Sequence, residues 1–151
     1  MKRTLLALAA SAAVGLATTV APASASLPAD VTKSSCLNNK TLRAACVQIR
    51  WDGETRKVTG NGSTLSFGDP KLGAVTELVV QRRTCGGAWR TSFYDADTDG
   101  YAVFDFVGSA PVTSPIRGQQ WRAKAVLSWK VDGYPSTRQS TVRTTPAIGT
   151  C

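Results

Sequence analysis

The stretch Trp121-Arg122-Ala123-Lys124-Ala125-Val126-Leu127-Ser128-Trp129-Lys130-Val131 decides the fold. Every second residue is apolar: Trp121, Ala123, Ala125, Leu127, Trp129 and Val131. Arg122, Lys124, Val126, Ser128 and Lys130 fall between them. Side chains of an extended chain point alternately to opposite faces, so this segment has one apolar face and one largely cationic face. That is the pattern of a half-buried antiparallel strand.

The same period of two recurs elsewhere. Val47, Ile49 and Trp51 alternate with Gln48 and Arg50, and Ala102, Phe104 and Phe106 alternate with Tyr101, Val103 and Asp105. The second pattern predicts Phe104 and Phe106 on the buried face. Turn signals separate the runs. Asn61-Gly62 suits a tight hairpin turn because both residues tolerate positive φ. Asp52-Gly53, Asp69-Pro70, Asp99-Gly100 and Asp132-Gly133 punctuate similarly, and Gly86-Gly87 divides the run Leu78–Arg83 from Trp89–Tyr94. Apart from one short helical turn over residues 37–45, the spacing predicts seven or eight short strands. The expected class is all-β, an antiparallel sandwich or barrel.

The N-terminus has the three parts of an export signal: Lys2 and Arg3, an apolar stretch from Leu5 to about Val20, and the small-x-small site Ala23-Ser24-Ala25. Residues 1–25 are therefore read as a signal peptide cut between Ala25 and Ser26. Residues 26–35 read as a flexible leader and residues 36–151 as one domain. No later apolar run approaches the roughly 18 residues of a membrane span. Losing Lys2 and Arg3 from 18 basic residues leaves 16 against 10 acidic ones, a formal charge of +6 on 126 residues. The expected location is outside the cell.

Cys36, Cys46, Cys85 and Cys151 all lie in the mature part, and four cysteines in an exported chain read as two disulfides. Spacing alone permits three pairings. Cys36–Cys46 as a local loop, with Cys85–Cys151 pinning the last residue, is the preferred one.

Leu78–Arg83, Gly86-Gly87-Ala88-Trp89, Asp97-Thr98-Asp99-Gly100-Tyr101 through Phe106, and Trp121-Arg122-Ala123 follow one another in order. In that succession residues 78–144 resemble the second half of a bacterial immunoglobulin-like or fibronectin-type domain. The resemblance implies an immunoglobulin-like β-sandwich and carries no activity, since such folds host many functions. The export signal, the cystines and the abundance of Ala, Thr and Gly also resemble small secreted actinobacterial proteins.

The chain contains no histidine. Ser-His-Asp and Cys-His nucleophilic catalysis lack their base, and histidine-ligated metal sites lack their ligand. No glycine-rich loop ends in Lys-Ser or Lys-Thr, so a P-loop has no candidate. Among ten acids only Glu54, Glu77 and Asp105 escape a turn or leader assignment, and none carries a recognisable catalytic motif. The expectation is a protein that is not an enzyme, with a carboxylate hydrolase using Glu77 or Asp105 as one alternative.

Three features suggest function. Asp95, Asp97 and Asp99, followed by Gly100, place carboxylates at alternate positions as a calcium loop does, but Phe106 stands where the loop's closing Glu belongs. An Asp-rich hairpin turn accounts for them equally, so any calcium would be weak and structural; no other cofactor is expected. Arg50, Arg82, Arg83, Arg122, Lys124, Lys130 and Arg143 fall on or near strands and would form a cationic patch if they share a sheet. Of the four tryptophans, Trp51, Trp121 and Trp129 lie on apolar faces, leaving Trp89 beside the Gly-Gly turn as the exposed one. Together Arg82, Arg83, Trp89, Arg122 and Lys124 are the candidate binding residues. The partner class is an extracellular protein or an anionic cell-envelope polymer, and export argues against nucleic acid. A second alternative is a protease inhibitor presenting Gln81-Arg82-Arg83-Thr84-Cys85 as a rigid loop.

Overall fold

The computed structural model describes residues 29–37, 42–67, 72–97, 100–130 and 138–151. Among them the chain forms nine strands: β1 (Val31–Cys36), β2 (Leu42–Asp52), β3 (Lys57–Ser66), β4 (Gly73–Thr84), β5 (Arg90–Asp95), β6 (Phe104–Gly108), β7 (Val112–Thr113), β8 (Gln119–Lys130) and β9 (Arg138–Thr144). They make two antiparallel sheets. One runs β1-β2-β3-β6 with β7 also paired to β3, and the other runs β5-β4-β8-β9. The all-β, two-sheet architecture follows the sequence reading, with the two-residue β7 and the edge strand β1 bringing the strands to nine.

The alternation in residues 121–130 places Trp121, Ala123, Ala125, Leu127 and Trp129 on the inner face of β8, all buried. Ala45, Val47, Ile49 and Trp51 of β2 face them from the opposite sheet, with Val58, Val75, Leu78, Val80 and Ile148 completing the core. Burying an indole requires a partner for its N–H. Ser114, itself buried, serves two of them: its carbonyl accepts from Trp51 Nε1 at 3.2 Å and its Oγ from Trp121 Nε1 at 2.9 Å.

Four local expectations are corrected. Residues 31–35 belong to β1 rather than to a loose leader: all of β1 pairs with β2, and Asp30 accepts from Arg50 at 2.7 Å and from the Gly53 backbone N–H at 2.9 Å. Residues 42–45 begin β2 and form no helical turn. Asn61-Gly62 lies inside β3 rather than at a turn. Gly60 and Gly62 face inward, where a Cβ would stand 2.5 Å from Val80 Cγ2 and 2.8 Å from Val75 Cγ1 respectively. Glycine is needed there for the approach of the two sheets, not for a turn.

The fourth correction concerns β6. Its alternation is real but reversed: Phe104 and Phe106 are 60% and 54% exposed, while Val107 is buried and Asp105 half-buried. The cause is a hydrogen bond. β4 has a register shift between Val75 and Glu77, and Asp105 Oδ2 accepts the Val75 backbone N–H at 2.6 Å. Burial raises the Asp105 carboxyl above its ordinary value, the Val75 N–H opposes that shift, and the neighbouring Asp97 adds to it.

The Asp52-Gly53 and Gly86-Gly87 turns form as read. Thr55 N–H donates to Asp52 Oδ1 at 2.8 Å, and Gly87 N–H donates to the Thr84 carbonyl at 2.8 Å with Gly86 at φ 79°. Both disulfides take the preferred pairing. Cys36 and Cys46 sit directly opposite each other on β1 and β2, and Cys85–Cys151 ties the end of β4 to the C-terminus. Residues 1–25, read from the sequence as a signal peptide, and Asp69-Pro70, Asp99 and Asp132-Gly133 lie outside the described residues.

Candidate anion-binding site

The strand register sorts the predicted binding residues. Gln81 pairs with Arg122 and Arg83 with Gln120, and all four point to the outer face of the β5-β4-β8-β9 sheet, opposite the buried Trp121 and Val80. Each pair is joined side chain to side chain. Arg83 Nε donates to Gln120 Oε1 at 2.8 Å, and Arg122 Nε donates to Gln81 Oε1 at 2.9 Å.

The Gly86-Gly87 turn delivers Trp89 to the same place. Its ring centroid is 4.6 Å from the guanidinium carbon of Arg83 and 4.2 Å from that of Arg122, so Trp89 is half-buried rather than free in solvent. Such contacts use the faces of the guanidiniums. The glutamines occupy the Nε positions, and the terminal nitrogens have no acceptor among the described residues. Two guanidinium forks are thus oriented by protein groups while their strongest donors remain available.

The local electrostatics are uncompensated. Among the described residues the one ion pair is Arg50–Asp30, in the other sheet. Arg122 is shifted below its ordinary value, first by desolvation and then by the charge of Arg83. Around the hairpin, Arg82 of β4 stands directly opposite Arg90 of β5, both exposed, and like charges in that position destabilise a sheet. Arg82, Arg83 and Arg90 line a cleft of about 410 Å³ with Thr84, Gly87, Ala88 and Gln119, and no carboxylate borders it. An anion in this cleft would relieve repulsion that the fold otherwise carries.

Rigid surroundings hold the cluster. The C-terminal segment runs beside the start of β8, with Trp121 and Ile148 exchanging backbone hydrogen bonds of 2.9 and 2.8 Å, and the Cys85–Cys151 bridge closes it onto the β4–β5 turn.

Of the predicted residues, Arg83, Trp89 and Arg122 come together, whereas Arg82, paired with Trp121 and Arg90, lies on the opposite face of the sheet. Lys124 lies on the same outer face, paired with Val79 and Thr144. Arg50 is on the other sheet, and Arg143 projects with Ala125 toward the inner side. Arg90, Gln81 and Gln120 were missed by the sequence reading; Arg90, beside Trp89 after the Gly-Gly turn, was the available signal. Gln81–Thr84 lie within β4: Gln81 and Arg82 pair with both β5 and β8, and Arg83 and Thr84 with β8 alone. Asp95 ends β5, Asp97 adjoins Asp105, and no three metal-ligating side chains cluster among the described residues, from which Asp99 is missing.

Comparison with known proteins finds no family model, no curated protein and no solved structure that matches the chain.

Proposed function

We propose that this protein is a secreted, non-enzymatic binding module with an immunoglobulin-like sandwich, and that it binds an anionic extracellular or cell-envelope polymer through Arg83 and Arg122 around Trp89. One observation carries the reading: Arg83 and Arg122 are held by Gln120, Gln81 and Trp89, with no carboxylate among the described residues within ion-pair distance of them. A surface arginine serving only solubility needs no such support. The two cystines suit an oxidising compartment. The inhibitor alternative would have to present Gln81–Thr84 from within β4, where Gln81 and Arg82 are paired on both sides.

The test is retention of residues 26–151 on immobilised heparin or dextran sulfate, eluted by salt. Retention at low salt that weakens steadily as screening increases is expected. A charge-assisted hydrogen bond is worth about 1.5–3 kcal/mol, so Arg122→Gln should weaken binding about tenfold or more. No retention at low salt, or retention indifferent to salt, would contradict the proposal. Guanidiniums stay charged through neutral pH and the chain has no histidine, so affinity should be flat from about pH 5 to pH 9.

A further inference from the structure

The outer face of the β5-β4-β8-β9 sheet carries a second cluster built like the first. At the far end of β8, Lys130 stands directly opposite Arg138 of β9, another like-charge pair on adjacent strands. An aromatic ring again covers both: the Tyr101 centroid lies 5.0 Å from Lys130 Nζ and 5.3 Å from the Arg138 guanidinium carbon. Neither cation has a carboxylate within ion-pair distance among the described residues. A shallow cleft of about 340 Å³ opens beside them, lined by Ala74, Thr76, Asp97, Gly100, Tyr101 and Arg138.

The two clusters share one strand. Arg122 and Lys130 are eight residues apart with side chains on the same face of β8, a span of about 27 Å at 3.3–3.4 Å per residue. Lys124 lies between them, as do Val126 of β8 and Val142 of β9, the latter 52% exposed, whereas Val79 of β4 is buried. Glu77 is the carboxylate on the intervening stretch of this face, and Asp97 borders the second cleft. The face is therefore cationic at both ends, with apolar C–H surface toward its middle.

We infer that the ligand is a linear polymer with an anionic group on each sugar or polyol repeat, lying along β8 and held at once by the Trp89–Arg83–Arg122 and Tyr101–Lys130–Arg138 clusters. This inference rests on the proposed anion-binding site and extends it to the whole sheet face. Apolar surface between the clusters suits the carbon framework of such repeats, whereas a compact anion can occupy only one end. Linking two contacts through one chain makes the second intramolecular, raising affinity by orders of magnitude without a new type of contact.

Chain length separates the two ideas. Calorimetric titration of residues 26–151 would use a heparin disaccharide, heparin chains longer than 27 Å, and poly(ribitol phosphate) as the phosphate-bearing arm. Tenfold or greater tightening from disaccharide to long chain is expected. The variant Lys130→Gln/Arg138→Gln should reduce the long chain to near the disaccharide's affinity while the disaccharide still binds at the Trp89 cluster. Preference between the two long polymers tells sulfated glycan from polyol phosphate. Disaccharide binding with no gain in length, or a long-chain affinity unaffected by the double variant, overturns the two-cluster track while leaving the Trp89 site standing. Absence of binding by every probe overturns both.

Discussion

The outer faces of the two sheets carry different chemistry on one scaffold. On the β5-β4-β8-β9 sheet, Arg83, Arg122, Lys124, Lys130 and Arg138 have no carboxylate within ion-pair distance among the described residues. On the β1-β2-β3-β6 sheet, Leu65, Phe104 and Phe106 are exposed in register with one another, Phe67 follows just beyond β3, and Arg50 is neutralised by Asp30. The inner faces, by contrast, are alike in kind, as the shared core requires. The difference teaches that the fold consumes only half of each strand's alternation. The other half faces solvent, and on the second sheet it concentrates charge that no described neighbour offsets.

The largest way to break the comparison is to release each sheet's disulfide in turn. In the chain-entropy account a bridge stabilises more as the loop it closes lengthens. Cys85–Cys151 closes a separation of 66 residues and Cys36–Cys46 one of 10. Replacing the first pair by Ser should cost about 4 kcal/mol and the second about 3 kcal/mol, read by chemical denaturation. The reverse order would show that the cationic sheet does not depend on its C-terminal tie.

Next in size is Gly60→Ala. The added methyl meets Val80 across the sandwich, and overpacking of this kind costs about 1–3 kcal/mol. A loss within that range, with anion affinity retained once the protein is folded, would show that the inner faces hold the sheets together without tuning the site. An unchanged stability would contradict the close approach of β3 and β4.

The smallest effect sharpens the account of β6. Asp105→Asn keeps an oxygen for the Val75 N–H but removes the charge. A carboxyl raised in the fold stabilises at low pH, and that contribution is lost as pH rises from the ordinary value of 3.8 through the raised one. The variant lacks this loss, so its stability relative to the parent should be greater at pH 7 than at pH 3. Denaturation curves at the two pH values check the sign.

These effects also show what was legible in the sequence. Strong alternation in residues 121–130 and 47–51 reported the inner faces correctly because every apolar side chain on those faces is buried. Weaker alternation failed where a single polar contact outweighed it. Asp105 turned β6 over to reach Val75, and Asn61-Gly62 lost its turn reading because an inward glycine made room for the opposing sheet. The site was half visible. Arg83, Trp89 and Arg122 are separated by up to about forty residues, yet the Gly-Gly turn and a cationic strand face singled them out, while Arg82, its neighbour in sequence, falls on the opposite face. Arg90, Gln81 and Gln120 were hidden because their roles come from cross-strand register, which depends on bulges no local pattern announces.

Backbone and indole chemical shifts during titration with long heparin chains test the central claim most directly. The account predicts perturbations at Gln81, Arg83, the Trp89 indole, Arg122 and Lys124, extending toward Lys130 and Arg138. Leu65, Phe104 and Phe106 should remain unmoved. Perturbations centred on those three residues, or none on the β5-β4-β8-β9 face, would contradict it.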